Sequence, residues 1–206
     1  EIALWSPQSP RRYTAQIQLW EGDIQSDAVE VTLGFRNVTV QGDTLCLNGS
    51  PIYPRMPLSW GWYPETLHAN PDETTLRAEL EKVLDLGYNG VKACLWVPPP
   101  RYLDLCDELG LYVWLELPLW LPEMDATQRE NTLREYEEIV RQVRHHPSII
   151  LWTLGCELSH SCPDEFLSGM YTRVKELADT PLLRDNSGGG ECYGGLLKEY
   201  ADYYDY

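Results

Sequence analysis

Three carboxylate side chains, Glu116, Glu157 and Asp185, each lie at the end of a short apolar segment in this sequence. Two carboxyl groups that flank one glycosidic bond can hydrolyse it, because one protonates the leaving oxygen while the other attacks or activates water. The protonating acid needs a raised pKa, which burial or a nearby negative charge supplies. Because Glu157 follows mostly apolar residues, we expect it to be buried and suited to the acid's role.

The segment that leads to Glu157 is Ile-Ile-Leu-Trp-Thr-Leu-Gly-Cys, residues 149–156. A run this short and apolar predicts a strand buried on both faces, as in a parallel sheet. Its β-branched start and Gly155 favour a strand over a helix. In a β/α barrel the carboxyl ends of the strands carry the chemistry. A strand-end Glu can also pair with a neighbouring Arg or Lys, and for Glu116 and Asp185 that structural role is the favoured interpretation.

The segments that position these residues alternate between strand and helix patterns. Apolar periodicity predicts helices over residues 71–86, with Asn70 as N-cap, and over 100–109, 127–144 and 163–177. Strands are predicted over residues 89–96, 111–117, 149–157 and 181–185. This order indicates a parallel sheet with helices outside, either an open doubly wound sheet or a barrel. No predicted strand is followed by a Gly-rich phosphate loop, so we favour the barrel.

The first part of the chain reads as β structure. Residues 13–20 and 28–33 alternate between apolar and polar side chains, with a turn over residues 21–23. Two or three strands bury no core of their own, so we interpret residues 1–38 as the C-terminal part of a β-sandwich. Residues 39–206 then form the N-terminal part of the barrel. The predicted fold class is therefore α/β, a partial (β/α)8 barrel preceded by the last strands of a sandwich.

The charge balance of the chain argues against negatively charged partners, because such partners bind mainly to positively charged proteins. The 206 residues include 16 Lys and Arg against 32 Asp and Glu, a net charge of −16. We therefore expect neither nucleic acid nor an anionic membrane as a partner, and no apolar run has transmembrane length. Eight Trp and thirteen Tyr supply surfaces for stacking sugar rings, although core packing is the more common role of any one aromatic.

The cysteines are spread over different predicted elements, at Cys46, Cys94, Cys106, Cys156, Cys162 and Cys192. Buried free thiols in a reducing compartment fit this distribution better than a disulfide framework, so we expect a cytoplasmic protein. Cys156, His160 and Cys162 are close in sequence, but their spacing matches no familiar zinc pattern. We expect no metal and no cofactor.

The loops after successive barrel strands converge on one mouth. The polar and aromatic side chains expected there are Arg55, Trp60, Lys92, Trp96, Glu116, Trp120, Glu157, Asp185, Asn186 and Asp205. Carboxylates and aromatics gathered in one mouth are what a glycosidase needs, so a carbohydrate is the expected substrate.

Several motifs resemble glycoside hydrolase family 2, the family of β-galactosidases, β-glucuronidases and β-mannosidases. They are Leu4-Trp5-Ser6-Pro7, Gly34-Phe35-Arg36, Leu47-Asn48-Gly49, Gly87-Tyr88-Asn89, Cys106 to Leu111, His146-Pro147-Ser148-Ile149 and Trp152 to Glu157. Each motif is weak alone, but their order and spacing along almost the whole chain are specific. The resemblance implies that residues 1–38 belong to an immunoglobulin-like domain.

The resemblance also implies a mechanism. In the family the Glu that ends the fourth barrel strand is the general acid/base, which carries over to Glu157. The family's nucleophile is a Glu after the seventh strand, whereas by our count this chain reaches about the sixth, near Asp205. We therefore expect this chain to be a fragment of a retaining exo-β-glycosidase, and we expect the fragment to be inactive by itself. For the full-length protein, assembly as a homo-oligomer is left open.

Three residues depart from the family pattern. Cys156 stands where the family usually has an Asn that contacts the sugar 2-hydroxyl, and a thiol is a poor substitute in hydrogen bonding. Lys92 and Leu95 stand where the second strand usually carries Arg and His. These departures suggest a different sugar or a weakened activity, and they keep open a non-catalytic carbohydrate-binding relative. The expected substrate-binding residues are Lys92, Trp96, Glu116, Trp120, Cys156, Asp185, Asn186 and Asp205.

Overall fold

The structure is a computed structural model that describes residues 1–120, 124–158, 162–178, 182–188 and 202. The strands in these residues are β1 (Tyr13–Glu21), β2 (Ile24–Leu33), β3 (Val38–Gln41), β4 (Thr44–Leu47), β5 (Ser50–Pro51), β6 (Leu58–Ser59), β7 (Gly90–Ala93), β8 (Tyr112–Glu116), β9 (Ile149–Thr153) and β10 (Leu183–Arg184). The helices are α1 (Glu73–Asp85), α2 (Pro100–Leu109), α3 (Ala126–Val143) and α4 (Asp164–Ala178).

The largest sheet contains β6 to β10, which lie side by side in the order of the sequence. All of its pairings are parallel, and one helix connects each strand to the next. A doubly wound sheet reverses its strand order at a switch point, whereas a barrel adds each strand beside the previous one. The described strands therefore confirm the predicted partial β/α barrel.

The strand that ends near Glu157 has the predicted burial. All five residues of β9 are buried, and the strand pairs with β8 on one side and β10 on the other. Ile149 and Trp152 belong to the main hydrophobic core, whereas Ile150 and Leu151 pack in a second cluster that includes Trp5. Because each face meets a different apolar cluster, the strand carries a continuous apolar run rather than an alternating one.

The N-terminal segment is attached near the start of β9. Trp5 is fully buried and its Nε1 donates a hydrogen bond to the Asp107 carbonyl at 3.0 Å. Arg36 donates to the Ile149 carbonyl at 2.7 Å. The strands β1 and β2 form the antiparallel hairpin that the alternation of residues 13–33 predicted. A separate small antiparallel sheet, β3 to β5, follows it.

The helix α1 begins two residues later than the sequence predicted. Asp72 caps it instead of Asn70, because the Asp72 side chain accepts a hydrogen bond from the Thr75 amide at 2.9 Å. A capping box formed by Asp125 and Gln128 starts α3 in the same way. In both cases a short carboxylate satisfies an amide that the first helical turn leaves unpaired.

None of the four described helices combines the length and apolarity needed to cross a membrane. Five cysteines in the described residues are free, at Cys46, Cys94, Cys106, Cys156 and Cys162. Four of these thiols are buried and Cys156 is half-buried, which fits the interpretation of free thiols rather than a disulfide framework. Cys192 lies outside the described residues.

Candidate active site

The loops that follow β8, β9 and β10 stay paired beyond the ends of the strands. Cys156 forms isolated parallel bridges with Trp120 on one side and Ser187 on the other. The Cys156 amide donates to the Leu119 carbonyl at 2.9 Å, and the Glu157 amide donates to the Ser187 carbonyl at 2.9 Å. These bonds hold three neighbouring loops in one layer at the mouth of the partial barrel.

Gly155 permits the close approach of two of these loops. A Cβ atom at this position would lie 2.5 Å from the Leu119 carbonyl oxygen and 3.0 Å from a methyl carbon of Leu158. Any side chain would therefore push the loop after β8 away from Cys156. The glycine thus has a packing role in the site, beyond its value as a marker of strand structure.

Glu157 lies just beyond β9, the fourth strand of the parallel sheet, as predicted. Its side chain is exposed rather than buried, so the expectation drawn from the apolar run was wrong. Glu157 has a left-handed backbone with φ of +50°, and the chain leaves the sheet there. Trp120 Nε1 donates a hydrogen bond to Glu157 Oε2 at 2.9 Å. Within the described residues no Lys or Arg forms an ion pair with Glu157, which weakens the structural interpretation.

Glu116, in contrast, is fully buried and paired. Lys92 Nζ lies 2.9 Å from Glu116 Oε2, and the Ser187 hydroxyl donates to the same oxygen. Lys92 also donates to Ser187 Oγ at 2.9 Å and lies 4.0 Å from the centroid of the Trp114 ring. These contacts neutralise the carboxylate, so they support the structural role that was favoured for Glu116.

Two thiols complete the inner part of the mouth. Cys94 Sγ donates a hydrogen bond to Glu116 Oε1 at 2.9 Å. Burial raises the pKa of Cys94, and the Glu116 acceptor raises it further. Burial likewise raises the pKa of Cys156 to about 11, with the Glu116 charge adding to the effect. Both thiols are therefore protonated at neutral pH, and neither is an activated nucleophile.

An aromatic cavity of about 660 Å³ lies beside the ends of β6 and β7. Its lining includes Trp60, Trp62, Tyr63, Leu67, Leu95 and Trp96. Trp96 is fixed at the bottom because its Nε1 donates to the Ser59 carbonyl at 3.0 Å, whereas Trp62 is 85% exposed. Apolar walls with exposed aromatic rims suit a small organic group or a sugar ring.

Asp185 and Asn186 are both buried at the end of β10. The Asn186 side-chain oxygen accepts a hydrogen bond from the Leu158 amide at 2.9 Å. Asn186 therefore fixes the backbone directly after Glu157. Asp205 lies outside the described residues.

One residue expected at the mouth lies elsewhere. Arg55 precedes β6 and donates to the Gly87 carbonyl at 3.1 Å, near the start of β7. The expectation was wrong because the strand begins after Arg55, so the residue falls at the amino end of the parallel sheet. His160, part of the sequence-adjacent group with Cys156 and Cys162, lies outside the described residues.

Sequence reasoning missed three residues of the site, Cys94, Ser187 and Gly188. Cys94 stands two residues after Lys92, and side chains spaced by two lie on one side of a strand, so this spacing could have identified it. A Cβ on Gly188 would lie 3.2 Å from Cys156 Sγ and 3.5 Å from Glu157 Cγ. The positions of Ser187 and Gly188 depend on the pairing of β10 with β9, which no local pattern encodes.

Two family models match this chain. The model for the TIM barrel domain of glycosyl hydrolases family 2 matches residues 38–193, and a second family 2 model matches residues 1–36. The first match covers well over half of the 206 residues. The chain belongs to glycosyl hydrolases family 2. Its partial barrel is thus a part of the TIM barrel domain of that family.

Proteins similar to this family 2 chain in sequence or in fold carry the names of different glycosidases. A β-galactosidase of Photobacterium profundum is 28% identical over 196 residues, which is 90% of this chain and 18% of that protein. A β-galacturonidase of Eisenbergiella tayi, solved with galacturonate bound, is 25% identical with a TM-score of 0.80, over 87% of this chain and 33% of its own. A β-glucuronidase of Parabacteroides merdae is 23% identical with a TM-score of 0.79, over 90% of this chain and 24% of its own. The chain therefore spans 18–33% of the length of these three proteins.

Proposed function

We propose that the full-length protein containing these residues is a retaining exo-β-glycosidase in which Glu157 is the general acid/base. The observation that carries the proposal is the position of Glu157, which lies just beyond the fourth parallel strand at the mouth of the partial barrel and accepts a hydrogen bond from Trp120. Membership of family 2 and the β-glycosidase relatives support the same reaction class.

The proposed reaction has two steps. In the first, the Glu157 carboxylic acid gives its proton to the glycosidic oxygen while a second carboxylate attacks the anomeric carbon and the aglycone leaves. In the second, the Glu157 carboxylate removes a proton from water, and that water displaces the second carboxylate from the sugar. Trp120 holds Oε2, so Oε1 is the oxygen left for proton transfer. The buried and paired Glu116 is unsuited to be the second carboxylate.

The site residues take different parts in this proposal. Trp120 is 57% exposed and Cys156 is half-buried, so both can touch a bound sugar. Lys92 and Glu116 neutralise each other and form the floor of the site. Asn186 positions the backbone after Glu157, and the aromatic cavity that contains Trp96 would receive the rest of the substrate.

The proposal is tested on the full-length protein with a panel of aryl β-glycosides that includes galactosides, glucuronides and galacturonides. Glu157→Gln should lower turnover of the accepted glycoside by about 10²–10⁴-fold, the usual contribution of a general acid/base. Glu165→Gln, at an exposed Glu in the first turn of α4, is the matched control and should leave turnover unchanged. Equal turnover in the two variants would refute the role of Glu157.

The same panel addresses the alternative of a non-catalytic carbohydrate-binding relative, which Cys156 and Leu95 favour. That alternative predicts sugar binding, measured as a change in Trp fluorescence, with no hydrolysis by the full-length wild type. The 206 residues alone should not hydrolyse any glycoside in the panel, because we expect the second carboxylate to lie outside them.

A further inference from the structure

Three side chains that can bind metals converge beside Glu157. Cys94 follows β7, Glu116 ends β8 and Cys156 follows β9. Their ligand atoms, two sulfurs and one carboxylate oxygen, all lie within 4.8 Å of one another. Cys94 and Glu116 are buried, and Cys156 is half-buried.

We propose that Cys94, Glu116 and Cys156 bind a thiophilic divalent cation, with Zn²⁺ as the expected ion. Thiolates select soft or borderline ions, and two sulfurs with one carboxylate oxygen form a donor set that Zn²⁺ accepts. Three protein ligands leave the fourth tetrahedral position for water or a substrate oxygen. The proposal does not depend on the glycosidase activity.

The two carboxylate oxygens of Glu116 have different contacts, so neighbouring side chains can hold one of them while the other binds the ion. Oε2 is held by Lys92 and Ser187. Oε1 accepts the Cys94 thiol proton at 2.9 Å. When that proton leaves, Oε1 and Cys94 Sγ are both freed and already adjacent. Lys92 and Ser187 then act as the outer partners that orient a metal-bound carboxylate.

The charge of the cluster also suits a divalent ion. With both thiols protonated, the Glu116 carboxylate and the Lys92 ammonium cancel. Binding of one divalent ion with release of two thiol protons leaves two thiolates, one carboxylate, one ammonium and the ion, which again sum to zero. Binding of the ion with release of two protons therefore adds no net charge to a mostly buried site.

This cluster could not be recognised from spacing in the sequence. The three ligands come from three neighbouring parallel strands, and the register of β7, β8 and β9 brings them together. It differs from the sequence-adjacent group of Cys156, His160 and Cys162, of which Cys162 lies in the main hydrophobic core. The proposal therefore names a specific set of ligands, whereas the sequence alone led us to expect no metal.

The test is a titration of the reduced protein with Co²⁺, which reports thiolate ligation by its charge-transfer absorption, followed by displacement with Zn²⁺. One ion should bind per chain, with release of two protons measured in weakly buffered solution. Cys94→Ser and Cys156→Ser should each weaken binding at least about tenfold, the lower bound for loss of even an outer partner. Cys106→Ala, which removes a buried thiol outside the cluster, is the matched control and should bind normally.

A second measurement covers the case in which a variant folds poorly. In the wild type, Zn²⁺ should raise the melting temperature and slow the alkylation of Cys156, because the ion binds only the folded state. The proposal is overturned if Co²⁺ gives no thiolate band, if the band survives in the Cys94→Ser/Cys156→Ser double variant, or if Zn²⁺ leaves the alkylation of Cys156 unchanged. All of these measurements are made without a glycoside, so their outcome does not depend on glycoside hydrolysis.

Discussion

Lys92 Nζ lies 2.9 Å from Glu116 Oε2, and this ion pair joins β7 to β8 beneath the candidate active site. The Lys92 side chain is 11% exposed and that of Glu116 is fully buried. Replacing both partners of such a buried ion pair by apolar residues changes the stability little, but replacing only one partner leaves an unpaired buried charge. The pair therefore makes the floor of the mouth sensitive to single substitutions.

Lys92→Met should lower the free energy of unfolding by about 3–5 kcal/mol, because it leaves the buried Glu116 carboxylate without a cation. Urea unfolding measures the change. Arg141→Met, which breaks the surface pair with Glu137 at 3.2 Å, is the control and should cost less than about 1 kcal/mol. The double variant Lys92→Met/Glu116→Leu should recover part of the loss. Similar costs for Lys92→Met and Arg141→Met would contradict the assignment.

Gly188→Ala should disturb the site as well as the fold. Gly188 has φ of +71°, and its Cβ would lie 3.2 Å from Cys156 Sγ. Gly42→Ala is the matched control, since Gly42 has φ of +66° and a Cβ added there would meet nothing within 4 Å. Both variants should lose about 1–2 kcal/mol through left-handed strain. Only Gly188→Ala should also lower glycoside turnover in the full-length protein, and unchanged turnover would show that this loop is not part of the site.

The stability of the protein should fall as the pH rises from 9 to 11. Burial raises the pKa of Cys162 from 9.0 to about 11, so the folded state keeps a proton that the unfolded chain loses. The contribution is fully present below pH 9 and is lost as the pH rises through 11. Unfolding measured against pH for wild type and Cys162→Ala isolates this thiol from buried tyrosines, which act in the same direction. If the free energy of unfolding falls equally steeply with pH in both proteins, the prediction is contradicted.

The predictable parts of this molecule are those that local sequence encodes. The apolar run of β9 predicted a strand buried on both faces, and the carboxylate that follows it was placed at the correct strand end. The exposure of Glu157 was not predicted, because the apolar run describes the strand and not the residue at which the chain leaves the sheet. The cluster of Cys94, Glu116 and Cys156 was hidden for a different reason, since it arises from the register of three parallel strands.

The central claim is that Glu157 is the acid/base of a retaining glycosidase, and azide rescue tests it most directly. Glu157→Ala in the full-length protein should hydrolyse an activated aryl glycoside slowly, because no base removes a proton from the attacking water. Azide needs no base, so it should restore the rate by about tenfold or more and give a β-glycosyl azide as product. Turnover at the wild-type rate in Glu157→Ala would contradict the account. A slow variant whose rate azide does not raise, and which forms no glycosyl azide from the substrate, would contradict it as well.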